Sequence, residues 1–186
     1  DYVSDWTFND AIRELIQNGI DQQTIDPNNT FCMSYDDDTK ELTLRNAQSK
    51  LKRDTLLLGC SSKSNNEETV GQFGEGYKIA ALVLTRLGKT FTIYNNDKNE
   101  VWTCRFKNST KWLHKLLPFY IEKKVTENTG LDIVIGNVSY NECNDIENIW
   151  LDYYDYEWEK IHTSYGDILT DEEQSKRIYV NGLYVY

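Results

Sequence analysis

The sequence predicts an α+β protein, a two-layer sandwich in which helices cover a mixed, mostly antiparallel sheet. Three observations support this fold class. Two stretches space their apolar residues as helices do. Several short β-rich segments are separated by turn residues, which is typical of antiparallel hairpins. Helices and strands also follow one another without the strict alternation that a parallel sheet requires.

The first expected element is a helix from Thr7 to about Gln23. Thr7 is suited to cap this helix, and Asp10 stands three residues later, where a capping box usually has Glu. At about 100° per residue, the apolar side chains share one broad face, and they are Phe8, Ala11, Ile12, Leu15 and Ile16. This face is therefore expected to pack on the core.

Three polar residues of the same helix form a second group. Glu14, Asn18 and Asp21 fall within an arc of roughly 60° that points away from the apolar centre. The Glu14 carboxylate could act as a base, and the Asn18 amide oxygen could ligate a hard cation such as Mg²⁺. A solvated polar face would show the same spacing, so the residues alone leave both interpretations open.

The strands are expected mainly as hairpins. FCMSYD and ELTLRN flank a turn at 36–39, while KTFTIYNN and EVWTCRF flank a turn at 95–99. LDIVIGNV predicts a buried strand, and RIYVNGLYVY is β-rich around Asn181 and Gly182. NDIENIWLDYYDYEWEKI predicts a helix with its apolar residues on an inner face. Residues 108–128 favour neither a helix nor a strand.

A polar segment and a second helix follow the first hairpin. Residues 47–70, which include LLLGCSSKSNNEET, show no clear period, and we expect a mobile loop there. From Tyr77 to Leu87 the chain is apolar nearly all round. This pattern predicts a buried helix that ends at Gly88.

The stretch VGQFGEGYKIAALVL places Gly71, Gly74 and Gly76 directly before that helix. A Walker A loop needs Lys and a hydroxyl residue right after its last glycine, but Tyr77 and Lys78 follow here. The glycine order also differs from a dinucleotide-binding loop, and no strand precedes it. An anion site at a helix N-terminus and a purely structural turn both remain open.

Length and charge limit the class of protein. The chain of 186 residues is expected to be one domain over residues 1–186, and the start at Asp1 rather than Met suggests an excised N-terminal domain. The net charge of -10 argues against a broad surface that binds a phosphate backbone. We therefore do not expect direct nucleic-acid binding. Small anions could still bind locally.

Cysteine usage and hydropathy indicate the compartment. Cys32, Cys60, Cys104 and Cys143 are far apart and form no CxxC pair, so neither a zinc site nor a disulfide framework is expected. No run reaches the roughly 18 apolar residues of a membrane helix, and no signal peptide is visible. We therefore expect a cytoplasmic protein with no membrane partner.

RELIQNGID, GCSSK and TVGQFGEGYKIAAL together resemble motifs of the GHKL superfamily of ATPases, which includes gyrase, the ninety-kilodalton heat-shock chaperones, histidine kinases and MutL. The motif resemblance runs from about Trp6 to Leu87. It implies the Bergerat fold of these ATP-binding domains, with ATP and Mg²⁺ as cofactors. Within the superfamily the chain is similar to stand-alone ATP-binding proteins of bacteria and their phages.

The resemblance assigns roles by position. Glu14 corresponds to the general base that activates water, Asn18 to the Mg²⁺ ligand, and Asp21 to a polar residue of the pocket. The glycine loop would cradle the phosphates and the lid would close over them, through Ser61, Ser62, Lys63, Gly71, Gln72, Phe73, Gly74, Glu75, Gly76, Tyr77 and Lys78. Lys78 could equally be a solvated surface lysine.

The adenine end departs from the family pattern. Relatives have DxGxG after the second strand, whereas the matching residues here are 46–50, in which Asn46 replaces Asp and both glycines are absent. An Asn carbonyl still accepts a hydrogen bond from the adenine amino group, but its NH₂ adds donors that a carboxylate lacks. The resemblance also assigns Leu51 to the pocket, and Thr129 or Leu131 to a late adenine contact.

The expected function is Mg²⁺-dependent ATP binding with slow hydrolysis, coupled to lid closure and conformational change. The resemblance also implies a homodimer, or a protein partner bound through regions outside this chain. Two alternatives stay open. One is a catalytically altered domain that docks or inhibits a protein partner, and the other is a scaffold that binds nucleotide without cutting it.

Overall fold

The computed structural model describes residues 3–56, 75–108, 115–154 and 156–185. The chain divides into two compact units, Asp1–Cys143 and Asn144–Tyr186. The first unit holds the helix α1 (Phe8–Ile25), the helix α2 (Glu75–Arg86) and the strands β1 to β8, while the short helix α3 (Tyr140–Asn144) follows them. The strands are β1 (Phe31–Asp36), β2 (Glu41–Asn46), β3 (Thr90–Asn95), β4 (Glu100–Cys104), β5 (Lys107–Asn108), β6 (Lys115–Leu116), β7 (Phe119–Lys123) and β8 (Leu131–Gly136).

Six of these strands form one sheet in the order β1-β2-β8-β3-β4-β7, and every pair is antiparallel. The short strands β5 and β6 pair with each other. Both expected hairpins are confirmed as β1–β2 and β3–β4, and the expected buried strand is β8. The α+β class and the mostly antiparallel sheet are therefore confirmed.

The core lies between this sheet and the two long helices. Leu44, Ile133, Ile93 and Trp102 lie opposite one another across β2, β8, β3 and β4, and all are buried. The helices α1 and α2 pack against each other. In addition, α1 packs against β1 and β2, and α2 packs against β3. Burial of such large apolar side chains is the main stabilising term in a fold of this kind.

The helix α1 begins as the sequence predicts. The Thr7 hydroxyl accepts a hydrogen bond from Asp10 N, and the Asp10 carboxylate accepts one from Thr7 N at 2.7 Å. This reciprocal capping box satisfies two of the free N–H groups of the first turn. The predicted apolar face is buried. The polar trio Glu14, Asn18 and Asp21 is only half-buried.

The helix α2 starts two residues earlier than the apolar pattern predicts, and Gly88 ends it. Gly88 has a φ of 78°, its N–H bonds to Thr85 O, and Lys89 N–H bonds to Leu84 O at 2.9 Å. These two bonds form a Schellman motif, which needs the left-handed conformation that glycine adopts without a Cβ clash.

The second unit contains two short hairpins, β9 (Lys160–Thr163) with β10 (Gly166–Leu169), and β11 (Tyr179–Val180) with β12 (Leu183–Tyr184). The predicted β-rich turn at Asn181 and Gly182 is confirmed. The prediction of a helix over NDIENIWLDYYDYEWEKI is wrong. A 3₁₀ turn forms at Asp145–Asn148, and Trp150 then forms a β-bridge with Leu183. Asn and Asp side chains form hydrogen bonds with nearby backbone groups in non-helical conformations, and aromatic side chains lose rotamer freedom in a helix. The β-bridge is therefore favoured over a helix here.

No helix in the described part of the chain is long and apolar enough to cross a membrane.

Candidate functional site

The polar face of α1 meets the first turn of α2. A Cβ atom placed on Gly76 would lie 2.9 Å from Asn18 Nδ2 and 3.4 Å from Glu14 Oε2. Only a residue without a side chain therefore lets the α2 backbone approach both polar groups this closely. The structure brings together Glu14, Asn18 and Gly76, which lie up to 62 positions apart in the sequence.

The side-chain NH₂ of Asn18 is not held by any described residue. Its Nδ2 atom is buried and has no hydrogen-bond partner among the described residues. A buried donor without a partner costs about 1–3 kcal/mol, so such groups usually bond to protein, ordered water or a bound ligand. Because no described residue accepts a hydrogen bond from Nδ2, the amide can offer this NH₂ group to a bound group or can turn to offer its oxygen.

The other predicted residues at the start of α2 occupy different environments. Glu75 opens the helix, but its side chain lies outside the described part of the chain. Tyr77 is 2% exposed, and burial raises the pKa of its phenol. The phenol therefore stays protonated near neutral pH and packs as a core group. Lys78 is half-buried on the same turn.

Asn46 lies at the end of β2 and is buried. Its Nδ2 atom donates to Gly19 O at 3.0 Å and to Asn29 O at 3.4 Å. Both N–H bonds of the amide are thus committed to backbone carbonyls, which fixes the orientation of the amide plane. The Oδ1 atom is the part of Asn46 left to accept a hydrogen bond from a ligand, since no described residue donates to it.

Asn29, which the sequence analysis did not single out, holds the residues after Asn46 in place. Its Oδ1 accepts from Gln48 N at 2.7 Å, and its Nδ2 donates to Ser49 Oγ at 2.8 Å. Asn29 itself is 5% exposed. The buried Asn29 side chain therefore provides hydrogen bonds to residues 48 and 49, which lie beyond the end of β2. No local pattern in DPNNTF distinguishes this asparagine from its neighbours.

Thr129 lies beside the same segment. Gly130 has a φ of 76°, and a Cβ on it would overlap the carbonyl groups of Asn46 and Ala47. The Thr129 hydroxyl donates to Ala47 O at 3.5 Å, and the residue is exposed. The structure thus brings Thr129 to the end of β2, while Leu131 is buried in β8 opposite Asn46.

Leu51 is buried and fixed through its backbone. Its N–H donates to Asn95 Oδ1 at 3.4 Å, and its carbonyl accepts from Asn95 Nδ2 at 2.9 Å and from Lys98 Nζ at 2.6 Å. The Asn95 side chain thus pairs with Leu51 as a strand backbone would. Leu51 is therefore held against the sheet beyond the end of β2.

Asp21, the third polar residue of α1, is engaged within its own helix. Its Oδ1 accepts from Gln17 Nε2 at 2.8 Å. Asp21 lies on the predicted face, and Glu14 and Asn18 are the side chains nearest to Gly76.

Seven predicted site residues lie outside the described residues, and they are Ser61, Ser62, Lys63, Gly71, Gln72, Phe73 and Gly74. Within the described ranges, no group of three or more His, Cys, Asp or Glu side chains could hold a metal ion. A metal at this site would therefore take few ligands from the described side chains, as Mg²⁺ does when it is bound mainly by phosphate oxygens and water.

No protein-family model matches the chain. A protein of Mycoplasma pneumoniae described only as uncharacterized is 26% identical over 185 residues, a match that covers 97% of this chain and 74% of that protein. A solved structure of the ATPase and transducer domains of DNA topoisomerase II from Balamuthia mandrillaris is similar at 15% identity, with a TM-score of 0.43.

The ATPase region of Saccharomyces cerevisiae topoisomerase II is also similar. Its complex with ICRF-187 is 14% identical with a TM-score of 0.44, and a second structure of the region is 13% identical with a TM-score of 0.42. The three matches cover 72%, 73% and 72% of this chain. The chain spans 38% of the length of each topoisomerase chain.

Proposed function

We propose that this chain is a GHKL-type domain that binds ATP with Mg²⁺ between α1 and α2 and hydrolyses it slowly. The observation that carries this proposal is the meeting of Glu14 and Asn18 with the backbone of Gly76. A base, a metal ligand and a helix N-terminus then converge on one point. The GQFGEGY motif and the RELIQNGID helix support the same function by their resemblance to the superfamily.

The start of α2 is suited to hold phosphates. The first N–H groups of a helix have no partners within the helix, and the helix dipole favours negative charge there. Gly76 adds no side chain at this end of the helix, and Asn18 Nδ2 beside it, which has no partner among the described residues, is a further donor. A phosphate oxygen at this point would accept a hydrogen bond from Asn18 Nδ2, which has no partner among the described residues.

Asn18 would hold Mg²⁺ if its amide turned the oxygen toward the phosphates. When bound, the metal would neutralise charge that develops on the phosphate oxygens. Glu14 would position the attacking water and accept its proton, since a carboxylate one helical turn from the metal ligand lies next to the reacting phosphate. Glu14 and Asn18 thus divide the roles of base and ligand.

The far end of the site would receive the base. The Asn46 amide gives both N–H bonds to Gly19 O and Asn29 O, so it presents an acceptor to the ligand, as a carboxylate would. The exocyclic amine of adenine is a matching donor. Leu51 and Thr129 are proposed to line this end, because both lie beside the segment that follows Asn46.

The lid function of residues 47–70, the contacts of Ser61, Ser62 and Lys63, and the dimerisation that would convert nucleotide state into a change of shape are proposals that the motif resemblance supports. So are the pocket role of Asp21 and the phosphate contacts of Gln72, Phe73, Glu75, Tyr77 and Lys78.

Calorimetric titration of Mg²⁺-ATP tests the binding. Asn18→Ala should weaken ATP affinity about tenfold or more, because it removes the unpartnered amide that would meet the phosphates and the metal. The same change should leave the free energy of unfolding nearly unchanged, since Nδ2 bonds to no described residue. Asn141→Ala, at an exposed site on α3, is the matched control. Equal ATP affinity in both variants would contradict the site.

Phosphate release tests the chemistry separately. Glu14→Gln should lower the hydrolysis rate at least about 100-fold while ATP still binds, because a positioned base contributes that order of rate. Glu41→Gln makes the same change at an exposed position of β2 and should leave the rate unchanged. Equal rates for wild type and Glu14→Gln would remove Glu14 as the base.

A second candidate function is a module that docks a protein partner. Its support is the aromatic and acidic run in the second unit, where Tyr154 and Tyr156 are 56% and 57% exposed. Tyr is enriched at protein interfaces. Absence of any heat at millimolar Mg²⁺-ATP would favour this function over the ATPase and over a nucleotide-gated scaffold.

A further inference from the structure

A buried carboxylate lies behind the proposed adenine end of the site. Asp132 is 8% exposed and stands directly opposite Arg45 in the pairing of β8 with β2. Its Oδ1 accepts a hydrogen bond from Arg45 Nη1, and its Oδ2 accepts one from Asn96 Nδ2 at 2.9 Å. Both carboxylate oxygens are therefore engaged, one by a guanidinium and one by the amide of a residue just after β3.

Arg45 and Asn96 also share a second acceptor, the carbonyl of Thr129. Arg45 Nη2 donates to Thr129 O at 2.9 Å, and Asn96 Nδ2 donates to the same oxygen at 3.4 Å. Because Asp132 accepts a hydrogen bond from each of these two side chains, it fixes the orientation of both donors. We call Arg45, Asn96 and Asp132 the clamp.

The clamp holds a short turn, residues 126–130. Asn96 Oδ1 accepts from Thr126 Oγ1 at 2.8 Å, and Asn96 N–H donates to Gly130 O at 3.0 Å. Together with the two bonds to Thr129 O, these contacts fix the turn at both of its ends. The position of the turn therefore depends on where the clamp places its donors.

This turn packs directly on the last residue of β2 and the residue after it. A Cβ on Gly130 would lie 2.3 Å from Asn46 O and 2.4 Å from Ala47 O, so the backbone of the turn lies against both carbonyls. The Thr129 hydroxyl adds its bond to Ala47 O at 3.5 Å. Successive side chains of a strand point to opposite faces, so Arg45 and Asn46 lie on different sides of the sheet. The clamp therefore acts on Asn46 through the backbone of the turn.

We propose that Asp132 is a positioning residue for recognition of the base. Through Arg45 and Asn96 it fixes the turn, and through the turn it fixes the place of the Asn46 acceptor. This inference rests on the proposed function, since it takes the base to lie at Asn46. It makes the contact with an exocyclic amine of the ligand depend on a carboxylate that lies on the other side of the sheet and does not touch the ligand.

The test compares two nucleotides, each titrated with Mg²⁺ into the full chain by calorimetry. ATP carries the 6-amino group of adenine, and purine riboside triphosphate lacks it. Wild type should prefer ATP about three- to tenfold, which is the contribution of one hydrogen bond. Asp132→Asn should bring this preference close to one, because it releases the donors of Arg45 and Asn96. It should bind the analogue as wild type does, since the proposed phosphate contacts on α1 are unchanged.

Asp132→Asn also breaks a buried ion pair, which can impair folding, so a milder variant accompanies it. Arg45→Lys keeps the positive charge, but an ammonium group lacks the planar fork that bonds to Asp132 and to Thr129 O together. The Arg45 side chain is 31% exposed, which leaves room for the change. This variant should also lower the preference for ATP.

The matched control is Glu142→Gln, which breaks the half-buried ion pair with Lys89. This pair lies beyond the opposite end of β8 from Asp132, because Lys89 Nζ also donates to Asn137 O, just after the strand. The control should keep the wild-type preference for ATP even where it lowers stability. Loss of the preference in the control as well would assign the effect to general destabilisation and overturn the inference.

Two further results would overturn the inference while leaving ATP binding in place. One is a wild-type preference for ATP that either clamp variant retains, and the other is equal affinity of wild type for the two nucleotides. Absence of any binding of Mg²⁺-ATP by wild type would instead contradict the proposed function, and the inference would fail with it.

Discussion

At the scale of single residues, buried amides organise the proposed adenine end of the candidate site. Asn29, Asn46 and Asn95 are at most 5% exposed, and each bonds to backbone groups of segments outside its own strand or turn. An amide carries both donors and acceptors, so it can pair with a backbone that has no strand partner. The site therefore depends on residue types that sequence patterns do not distinguish from surface turns.

Asn46→Asp should destabilise the protein although it restores the residue that the superfamily usually has. A carboxylate cannot donate, so the bonds to Gly19 O and Asn29 O would be lost and two carbonyls would face an acceptor. We expect a loss of about 2–3 kcal/mol in the free energy of unfolding, measured by urea denaturation at neutral pH.

The control for this change is Asn141→Asp, which is exposed and should shift stability by no more than about 0.5 kcal/mol. If Asn46→Asp were as stable as wild type, the amide would not be oriented by these two carbonyls, and its role as a fixed acceptor would have to be abandoned.

The sequence indicates the residues of the proposed phosphate end better than those of the proposed adenine end. Helical periodicity places Glu14 and Asn18 on one face, and Gly76 belongs to a glycine-rich stretch directly before an apolar helix. Local patterns therefore identify all three residues. Asn46 bonds to Gly19 and Asn29 because segments that are distant in the sequence pack together. Such packing leaves no periodic pattern in a single sequence. Asn29, Gly19 and Gly130 were therefore missed.

At the scale of elements, the packing of α1 depends on a helical glycine. A Cβ on Gly19 would overlap the Phe31 ring at the start of β1. Gly19→Ala gains up to about 1 kcal/mol of helix propensity, but overpacking costs about 1–3 kcal/mol, so we expect a net loss of stability in urea denaturation.

Thr24→Ala, at an exposed position of the same helix, is the control and should be neutral or slightly stabilising. Trimming the ring in Gly19→Ala with Phe31→Leu should recover part of the loss. A stabilised Gly19→Ala single variant would show that α1 can move away from β1 at little cost.

The segment after β2 is tied to β4 by an ion pair between Arg53, whose side chain is 58% exposed, and the buried Glu100. The pH dependence of this pair is predictable. Arg53 bonds to the Glu100 carboxylate at 2.6 Å and lowers the pKa of that carboxyl, burial opposes this shift, and the Trp102 N–H at 2.9 Å adds to the lowering. Because the folded pKa lies below the ordinary 4.5, the stabilisation is present above pH 4.5 and is lost as pH falls through the folded pKa.

Glu100→Gln should therefore lower the free energy of unfolding by about 1–2 kcal/mol at pH 7, and the difference from wild type should shrink at acid pH. Urea denaturation across the acid range measures this, and Glu41→Gln provides the exposed control. A difference that stays constant through the acid range would show that the charge of Glu100 does not contribute to stability.

Element types follow from the sequence wherever the period is strong, as in α1, α2 and the hairpins β1–β2 and β3–β4. The prediction fails after Asn144, where aromatic residues repeat at helical spacing without forming a helix. There the strand bridge between Trp150 and Leu183 decides the conformation, and that contact joins residues 33 positions apart.

At the scale of the whole molecule, the expectation of one domain over residues 1–186 stays a prediction. If it holds, both compact units should unfold in one cooperative transition. Far-UV circular dichroism reports the helices and strands, while tryptophan fluorescence includes Trp102 of the first unit and Trp158 of the second. Their urea midpoints should coincide, and separate midpoints would show two domains.

The sheet order has a consequence for how the protein is made. Strand β8 lies between β2 and β3, so the hairpins β1–β2 and β3–β4 share no strand contact except through residues 131–136. Such pairings between distant residues give a high contact order, which slows folding. During synthesis, the central sheet stays divided until β8 emerges from the ribosome, and the unpaired edges of β2 and β3 are open to misassociation until then.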